Sequence, residues 1–218
     1  MAIPKIIHQT FKTSKLPFIT RWHIYNFKRK NPDYKYEFYD DERIESFFLQ
    51  EYEPHVLETY KKLNIGAAKA DMFRYAVLFK RGGIYVDIDS GMNDTLDSFI
   101  KPDDKAIITL EGHPSLYAQW ALIYEAGHPF LKRTLEKIIE NISLNKYPND
   151  IHKMTGPSVY TEAIKECLIQ DAAIPYRILG TDYNGHLKVK YNLGKFFLYK
   201  KGEHWKKQQK IKSLLKED

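Results

Sequence analysis

Apolar positions in the chain follow two rhythms, one helical and one strand-like. The helical rhythm is clearest over Ala67–Lys80, where Met72, Tyr75, Ala76 and Phe79 recur on one face. Gly82-Gly83 end that helix. A short apolar strand, Ile84-Tyr85-Val86, follows and runs into Asp87-Ile88-Asp89. Upstream, Lys5–Phe11 reads as a first buried strand leading to a ligand-facing loop. Phe18–Lys30 reads as a helix with Trp22, Tyr25 and Phe27 among basic residues, stopped by Asn31-Pro32. Tyr36–Tyr39 is a second strand, and Asp40-Asp41 caps the next helix, Glu42–Lys62, interrupted near Pro54.

Downstream, Ala106–Leu110 and Trp120–Tyr124 read as strands. His128-Pro129 opens a helix through Asn141, Asn145–Asp150 is a polar loop, and Pro157 starts a helix to about Ile169. Short strands are predicted around Arg177-Ile178, Leu187–Lys190 and Phe196–Tyr199, then a basic helical tail over about 206–218. Strands alternating with helices predict an α/β fold with helices on both faces of the sheet. No linker or internal repeat interrupts the chain, so residues 1–218 read as one domain.

The net charge of +6 suits an anionic ligand, an anionic membrane surface or nucleic acid, and its sign does not choose among them. Cys167 is the only cysteine, which excludes an intrachain disulfide and fits a small buried hydrophobe on a helix. The start is too short and polar for a signal peptide, and no apolar run approaches the ~20 residues that span a bilayer. The expectation is a soluble, cytoplasmic protein with room for peripheral contact at the inner face of an anionic membrane.

The chemistry concentrates at Asp87 and Asp89. An isolated Asp-x-Asp is most often a solvated turn. Placed after Gly-Gly and a buried strand, it reads as a site for a hard dication such as Mg²⁺ or Mn²⁺, which leaves positions open for substrate phosphates. The carboxylates converge either on one strand face or through a turn. A cation there can hold a diphosphate, which points to a nucleotide-activated donor such as a nucleotide sugar. Asp71 and Arg74, at i and i+3, share a helix face. Alone they read as a surface ion pair. Beside the carboxylate pair they read as a hydroxyl acceptor and a fork of donors for a sugar.

His204-Trp205 offers an imidazole as a third metal ligand and an indole to cover a sugar or base; a surface-packed pair fits composition equally. His8, Gln9 and Phe11 end the first strand, where a base is received or where a core edge lies. Thr155-Gly156-Pro157 feeds a helix N-terminus that meets an anion or simply starts a helix. A second enzyme reading is a phosphohydrolase of haloacid-dehalogenase type, in which the first Asp is the nucleophile; its pair stands near the N-terminus, whereas this one comes at residue 87. A nucleic-acid-binding module has the charge in its favour and no motif.

IPKIIHQTF at the start, NPDYKYEFYD, AAKADMFRYAVLFKRGGIYVDID and TGPSVYT together resemble glycosyltransferase family 32. That group includes fungal Golgi mannosyltransferases and bacterial capsular polysaccharide synthesis enzymes. The central block also looks like the catalytic core of large glucosylating bacterial toxins. The resemblance implies a GT-A fold, a nucleoside diphosphate sugar donor, Mn²⁺ or Mg²⁺, retention of configuration, and a glycan or lipid-linked glycan as acceptor. It carries catalysis to Asp71, Arg74, Asp87 and Asp89, with Asp87, Asp89 and His204 as the metal set. It carries donor binding to His8, Gln9, Phe11, Asp71, Arg74, Gly83, Tyr85, Asp87 and Trp205. The small bacterial form favours UDP-galactose or UDP-glucose over GDP-mannose. Phe11 stands where the family commonly has Trp, and the family's His-His-aromatic-x-Gly-Ser-Trp segment is reduced to Glu203-His204-Trp205.

Overall fold

The computed structural model describes residues 2–112, 115–191, 198, 208–209 and 211–216. Strands β1 (Ile6–Thr10), β2 (Lys35–Tyr39), β3 (Gly83–Val86), β4 (Gly91–Met92), β5 (Ala106–Thr109), β6 (Ala121–Tyr124), β7 (Arg177–Leu179) and β8 (Leu187–Lys188) are interleaved with helices. The helices are α1 (Phe18–Lys30), α2 (Asp41–Glu51), α3 (Pro54–Lys62), α4 (Gly66–Arg81), α5 (Pro129–Ser143), α6 (Ile151–Met154), α7 (Pro157–Gln170) and α8 (Thr181–Asn184).

Local chemistry sets the boundaries. Asp40 caps α2 by accepting from the Arg43 amide at 3.1 Å. Pro54 opens α3 at a position where a missing N–H costs nothing, which splits the expected Glu42–Lys62 helix in two. Gly82 ends α4 with φ +62° and returns its N–H to the Leu78 carbonyl at 2.8 Å.

A six-stranded sheet runs β2-β1-β3-β6-β5-β7; β6 is antiparallel to both neighbours and the remaining pairs are parallel. Side chains alternate across it with the period of two that strands impose. Ile7, Ile84, Val86, Ile107 and Ile123 face a core shared with Phe27 of α1, Leu96, Phe99 and Tyr183 of α8. Tyr85, Ala106, Ile108, Leu122 and Tyr124 face the larger core built with α2, α3, α4, α5 and α7.

Several expectations change. The polar loop runs into α6, capped by Asp150 accepting from the Lys153 amide at 3.2 Å. Helix α8 holds left-handed residues at Asp182, Tyr183 and Asn184, where the buried Tyr183 hydroxyl reaches the Ala121 carbonyl at 2.7 Å. The strand expected to Lys190 stops at Lys188. Of the strand expected around Phe196–Tyr199 only Leu198 is described, and it is helical. Of the expected tail helix, residues 208, 209 and 211 are helical, and residues 214–216 are not. The Asn64 amide donates to the Leu214 carbonyl at 2.9 Å, and the Lys216 amide to the Lys62 carbonyl at 2.8 Å. Burying Leu214 this way outweighs extending a solvated helix. No helix among the described residues is long and apolar enough to cross a membrane.

Candidate active site

The carboxyl ends of the parallel strands open into a cleft of about 820 Å³, the place where open α/β sheets bind ligands. Strand β3 delivers the acidic pair to it. Asp87 continues the alternation on the Tyr85 side, where the Tyr85 hydroxyl donates to Asp87 Oδ1 at 3.0 Å. The chain then turns, with the Ser90 amide donating to the Asp87 carbonyl at 2.9 Å. The turn, rather than a shared strand face, brings Asp89 to the same cleft.

Asp71 and Arg74 are not a surface pair; they are 5% and 4% exposed. Arg74 Nη2 lies 3.0 Å from Asp87 Oδ1 and 3.2 Å from Asp71 Oδ1. Its Nη1 donates to the Gln119 carbonyl at 2.7 Å and its Nε to the Ala70 carbonyl at 3.3 Å. Three of the fork's five N–H groups are taken by hydrogen bonds, to Asp87 and to the Gln119 and Ala70 carbonyls. The guanidinium also lies 4.8 Å from the centre of the Tyr85 ring. Asp71 accepts from Gln119 Nε2 at 3.0 Å and from Thr155 Oγ1 at 2.9 Å. Tyr75 donates its hydroxyl to Gln119 Oε1 and fixes that amide in turn. The result is one buried frame that sets the direction of the Asp87 carboxylate.

The frame is short of positive charge. Burial pushes the Asp71 carboxyl up to about 7, although Arg74, Thr155 and Gln119 pull it back. Burial also raises Asp87, against Arg74 and the Tyr85 hydroxyl. Asp89 is pushed up to about 6, by burial first and by the Asp87 charge second. Burial alone would lower the Arg74 guanidinium; Asp87 and Asp71 outweigh it, so Arg74 is raised and stays cationic. Lys190, about half-exposed, adds a second cation, with Nζ 3.8 Å from Asp89 Oδ2. Among the described residues, the buried Asp71 and Asp89 and the partly exposed Asp87 are thus ion-paired to one buried cation and one solvated one. Hard oxygen donors with an uncompensated negative charge fit a hard dication. The candidate holders are Asp89 and the Asp87 oxygen not taken by Arg74 and Tyr85. Among the described residues no cluster of three or more His, Cys, Asp or Glu side chains completes such a site. His204 and Trp205 lie outside those residues.

Of the donor-binding residues expected from sequence, Phe11, Asp71, Arg74, Tyr85 and Asp87 line the cleft, and His8, Gln9 and Gly83 do not. His8 sits two residues deeper on β1 than Thr10, where the cleft wall begins. It is fully buried, bonds to the Gly82 carbonyl at 3.0 Å and leaves Nδ1 without a partner. Burial pushes its imidazole down to about 4, so it is neutral. Gln9 is also buried, but it braces the site from behind, donating to the Asp87 carbonyl at 3.2 Å while accepting from the Tyr36 hydroxyl at 2.9 Å. Gly83 lies at the opposite end of β3 from Asp87. Its φ is +99°, and a Cβ there would stand 2.5 Å from the Ile6 carbonyl oxygen. It is glycine so that β1 and β3 can close. Sequence reasoning missed Gln119 and Lys190, and it read Thr155 as part of a helix N-terminus that meets an anion or simply starts a helix, not as the donor to Asp71. No local pattern marks them, because the sheet order brings them in from distant parts of the chain.

Residues 21–106 match the family described as "Glycosyltransferase sugar-binding region containing DXD motif". The chain is 35% identical over 141 residues to inositol phosphoceramide mannosyltransferase 3 of Schizosaccharomyces pombe, covering 63% of this chain and 37% of the relative. It is 28% identical over 203 residues to the initiation-specific alpha-1,6-mannosyltransferase of Candida albicans, covering 75% and 52%. The chain therefore spans about half or less of the length of these curated relatives. Among solved structures, the PaToxG glycosyltransferase superposes with a TM-score of 0.65 at 20% identity, over 79% of this chain and 72% of that one. The glycosyltransferase domain of the YGT toxin gives 0.60 at 11% identity, over 83% and 80%. The fold is that of the GT-A glycosyltransferases.

Proposed function

We propose, for a chain that carries the DXD glycosyltransferase sugar-binding region over residues 21–106, that it transfers a hexose from a nucleoside diphosphate sugar to a hydroxyl of a glycan or glycolipid. The carrying observation is the charge-deficient carboxylate pair at the strand ends, one member of which is held by Arg74, Tyr85 and, through its carbonyl, Gln9.

Asp87 and Asp89 are the residues that would hold Mg²⁺ or Mn²⁺. When bound, such an ion supplies charge neutralisation of the diphosphate and of the leaving group. The protein's own residues do the remaining work. The Asp71–Gln119–Thr155 chain keeps Arg74 aimed, and Arg74 keeps Asp87 from rotating toward solvent. Asp71 sits on the cleft wall with one acceptor site of its carboxylate left for a sugar hydroxyl. Lys190 places a movable ammonium beside Asp89, where a diphosphate oxygen can take it over. Phe11 and Trp120 line the same cleft and give a base or sugar face apolar surface.

Asp71 is bonded through both oxygens, and Asp87 has one oxygen in the frame and the other assigned to the metal, so neither is left for a covalent glycosyl intermediate. Retention then follows from attack by the acceptor on the face the diphosphate leaves, with a diphosphate oxygen taking the acceptor's proton. The same tethering disfavours Asp87 as a phosphohydrolase nucleophile, and the relatives give that alternative no support. The relatives' names put a mannosyl donor ahead of the UDP-hexose that the sequence favoured.

The test is a thermal-shift screen of GDP-mannose, UDP-glucose and UDP-galactose, each with and without Mn²⁺, followed by nucleoside diphosphate release. A true donor raises the melting temperature by mass action. The reading is overturned if no sugar nucleotide shifts the protein and only a phosphomonoester is turned over.

A further inference from the structure

Helix α1 carries a feature that the cleft does not use. Its exposed positions are Phe18, Arg21, Trp22, Tyr25, Lys28 and Arg29, a single face at helical spacing. Phe18 is 75%, Tyr25 62% and Trp22 48% exposed. The opposite face is committed to the fold through Thr20 and Phe27. Soluble helices normally turn aromatics inward and charges outward. Here the outward face holds three aromatics and three cations.

The charge is one-sided. Residues 11–32 contain Lys12, Lys15, Arg21, Lys28, Arg29 and Lys30 and not one Asp or Glu. Arg21, Lys28 and Arg29 have no ion-pair partner among the described residues. A single-strand nucleic-acid platform sets aromatics along a basic groove. Aromatics projecting from one helix, flanked by cations, instead match the headgroup layer, where rings seat at the interface and ammonium and guanidinium groups meet lipid phosphates.

We infer that α1 is a docking helix for an anionic bilayer surface. It lies beside the cleft. Thr20 Oγ1 is 2.9 Å from the Tyr191 hydroxyl, the His23 ring stacks on Tyr191 at 3.7 Å, and the Tyr191 amide donates to the Asp89 carbonyl at 2.9 Å. A membrane seated on the outer face of α1 lies one helix diameter, ~10 Å, from the Tyr191 that backs Asp89. Given the transferase reading, on which this step rests, the acceptor is a lipid-linked hydroxyl presented at that surface.

The test is flotation of the full-length chain with vesicles of phosphatidylcholine alone or mixed with phosphatidylglycerol, at low and high salt. Binding is expected to the mixed vesicles and to weaken with salt. The Arg21→Gln/Lys28→Gln/Arg29→Gln variant is expected to lose on the order of a hundredfold in partitioning. The Phe18→Ser/Trp22→Ser/Tyr25→Ser variant is expected to lose at least about tenfold. Both keep the wild-type melting temperature and donor hydrolysis in solution, because the substituted side chains are exposed. Absence of vesicle binding, equal binding by wild type and both variants, or capture of oligonucleotides in place of vesicles overturns the inference. If vesicle binding holds but no nucleoside diphosphate is released, the transferase reading has failed and the docking surface stands.

Discussion

Replacing Asp89 with Asn is expected to stabilise the metal-free protein at neutral pH while ending transfer. Asp89 is 5% exposed, and burial together with the Asp87 charge pushes its carboxyl up to about 6. In the unfolded chain it titrates near ~3.9. A raised acid contributes stability that is full below about pH 4 and is lost as pH rises through about 6. A shift of about two pK units, at ~1.4 kcal/mol each, withholds about 3 kcal/mol at pH 7. Asn keeps the side-chain shape and removes that penalty. That shift is already net of the attraction to Lys190, 3.8 Å away. The gain of about 3 kcal/mol raises the melting temperature by roughly 6–12 °C for a chain of this size. Calorimetric melts in chelator at about pH 7 and about pH 4 measure it. The gain should vanish at the acid end, and Mn²⁺ with a nucleoside diphosphate should stabilise wild type and not the variant. A variant that melts lower at neutral pH, or a gain that persists at about pH 4, refutes the claim that Lys190 and Arg74 leave the Asp89 charge under-compensated.

Other perturbations probe the frame and the strand ends. Arg74→Lys removes the fork that joins Asp87, Asp71 and the Gln119 carbonyl; denaturant melts should show a loss of roughly 3–5 kcal/mol, with transfer abolished. Gly83→Ala forces a Cβ against the Ile6 carbonyl at positive φ, so it should cost about 2 kcal/mol or more, while the protein that remains folded binds donor with unchanged Kd by calorimetry. His8 has its folded pKa depressed to about 4, so its stabilising share is full above ~6.5 and lost as pH falls toward 4. His8→Gln should flatten that acid limb in melts compared with wild type, and an unchanged limb would show that His8 is not the titrating group.

Local order was legible wherever one residue decides a boundary. Gly82 after an apolar helical face, Pro54 within a helical run and Asp40 before α2 each act through their own backbone or side chain, and each stands at the boundary it was expected to make. The position of the acidic pair at a strand end was legible for the same reason. Depth was not. His8 and Thr10 share strand parity, and only the fold decides that His8 is turned to the Gly82 carbonyl while Thr10 lines the cleft. Partners brought in by topology were not legible either. Gln119 reaches Asp71 across 48 residues of chain and Thr155 across 84, separations at which periodicity and motif spacing carry no signal. The aromatics of α1 were visible in the sequence among their basic neighbours. Which way they face depends on which residues the fold buries, and it buries Thr20 against Tyr191 and Phe27 in the core under the sheet.

The reversed direction of β6 has a practical corollary for re-engineering. Because Ala121 is registered opposite Val86, the residues just before β6 arrive beside the residues just after β3, and the Asp87 amide bonds the Trp120 carbonyl at 2.8 Å. A same-way strand would deliver position 119 to the far rim of the molecule. Gln119 and Trp120 are thus pinned by the sheet ladder, whatever the length of the β5–β6 excursion that precedes them. That excursion can be grafted, trimmed or extended to reshape the mouth for a different recipient molecule, while the anchor beneath keeps its register.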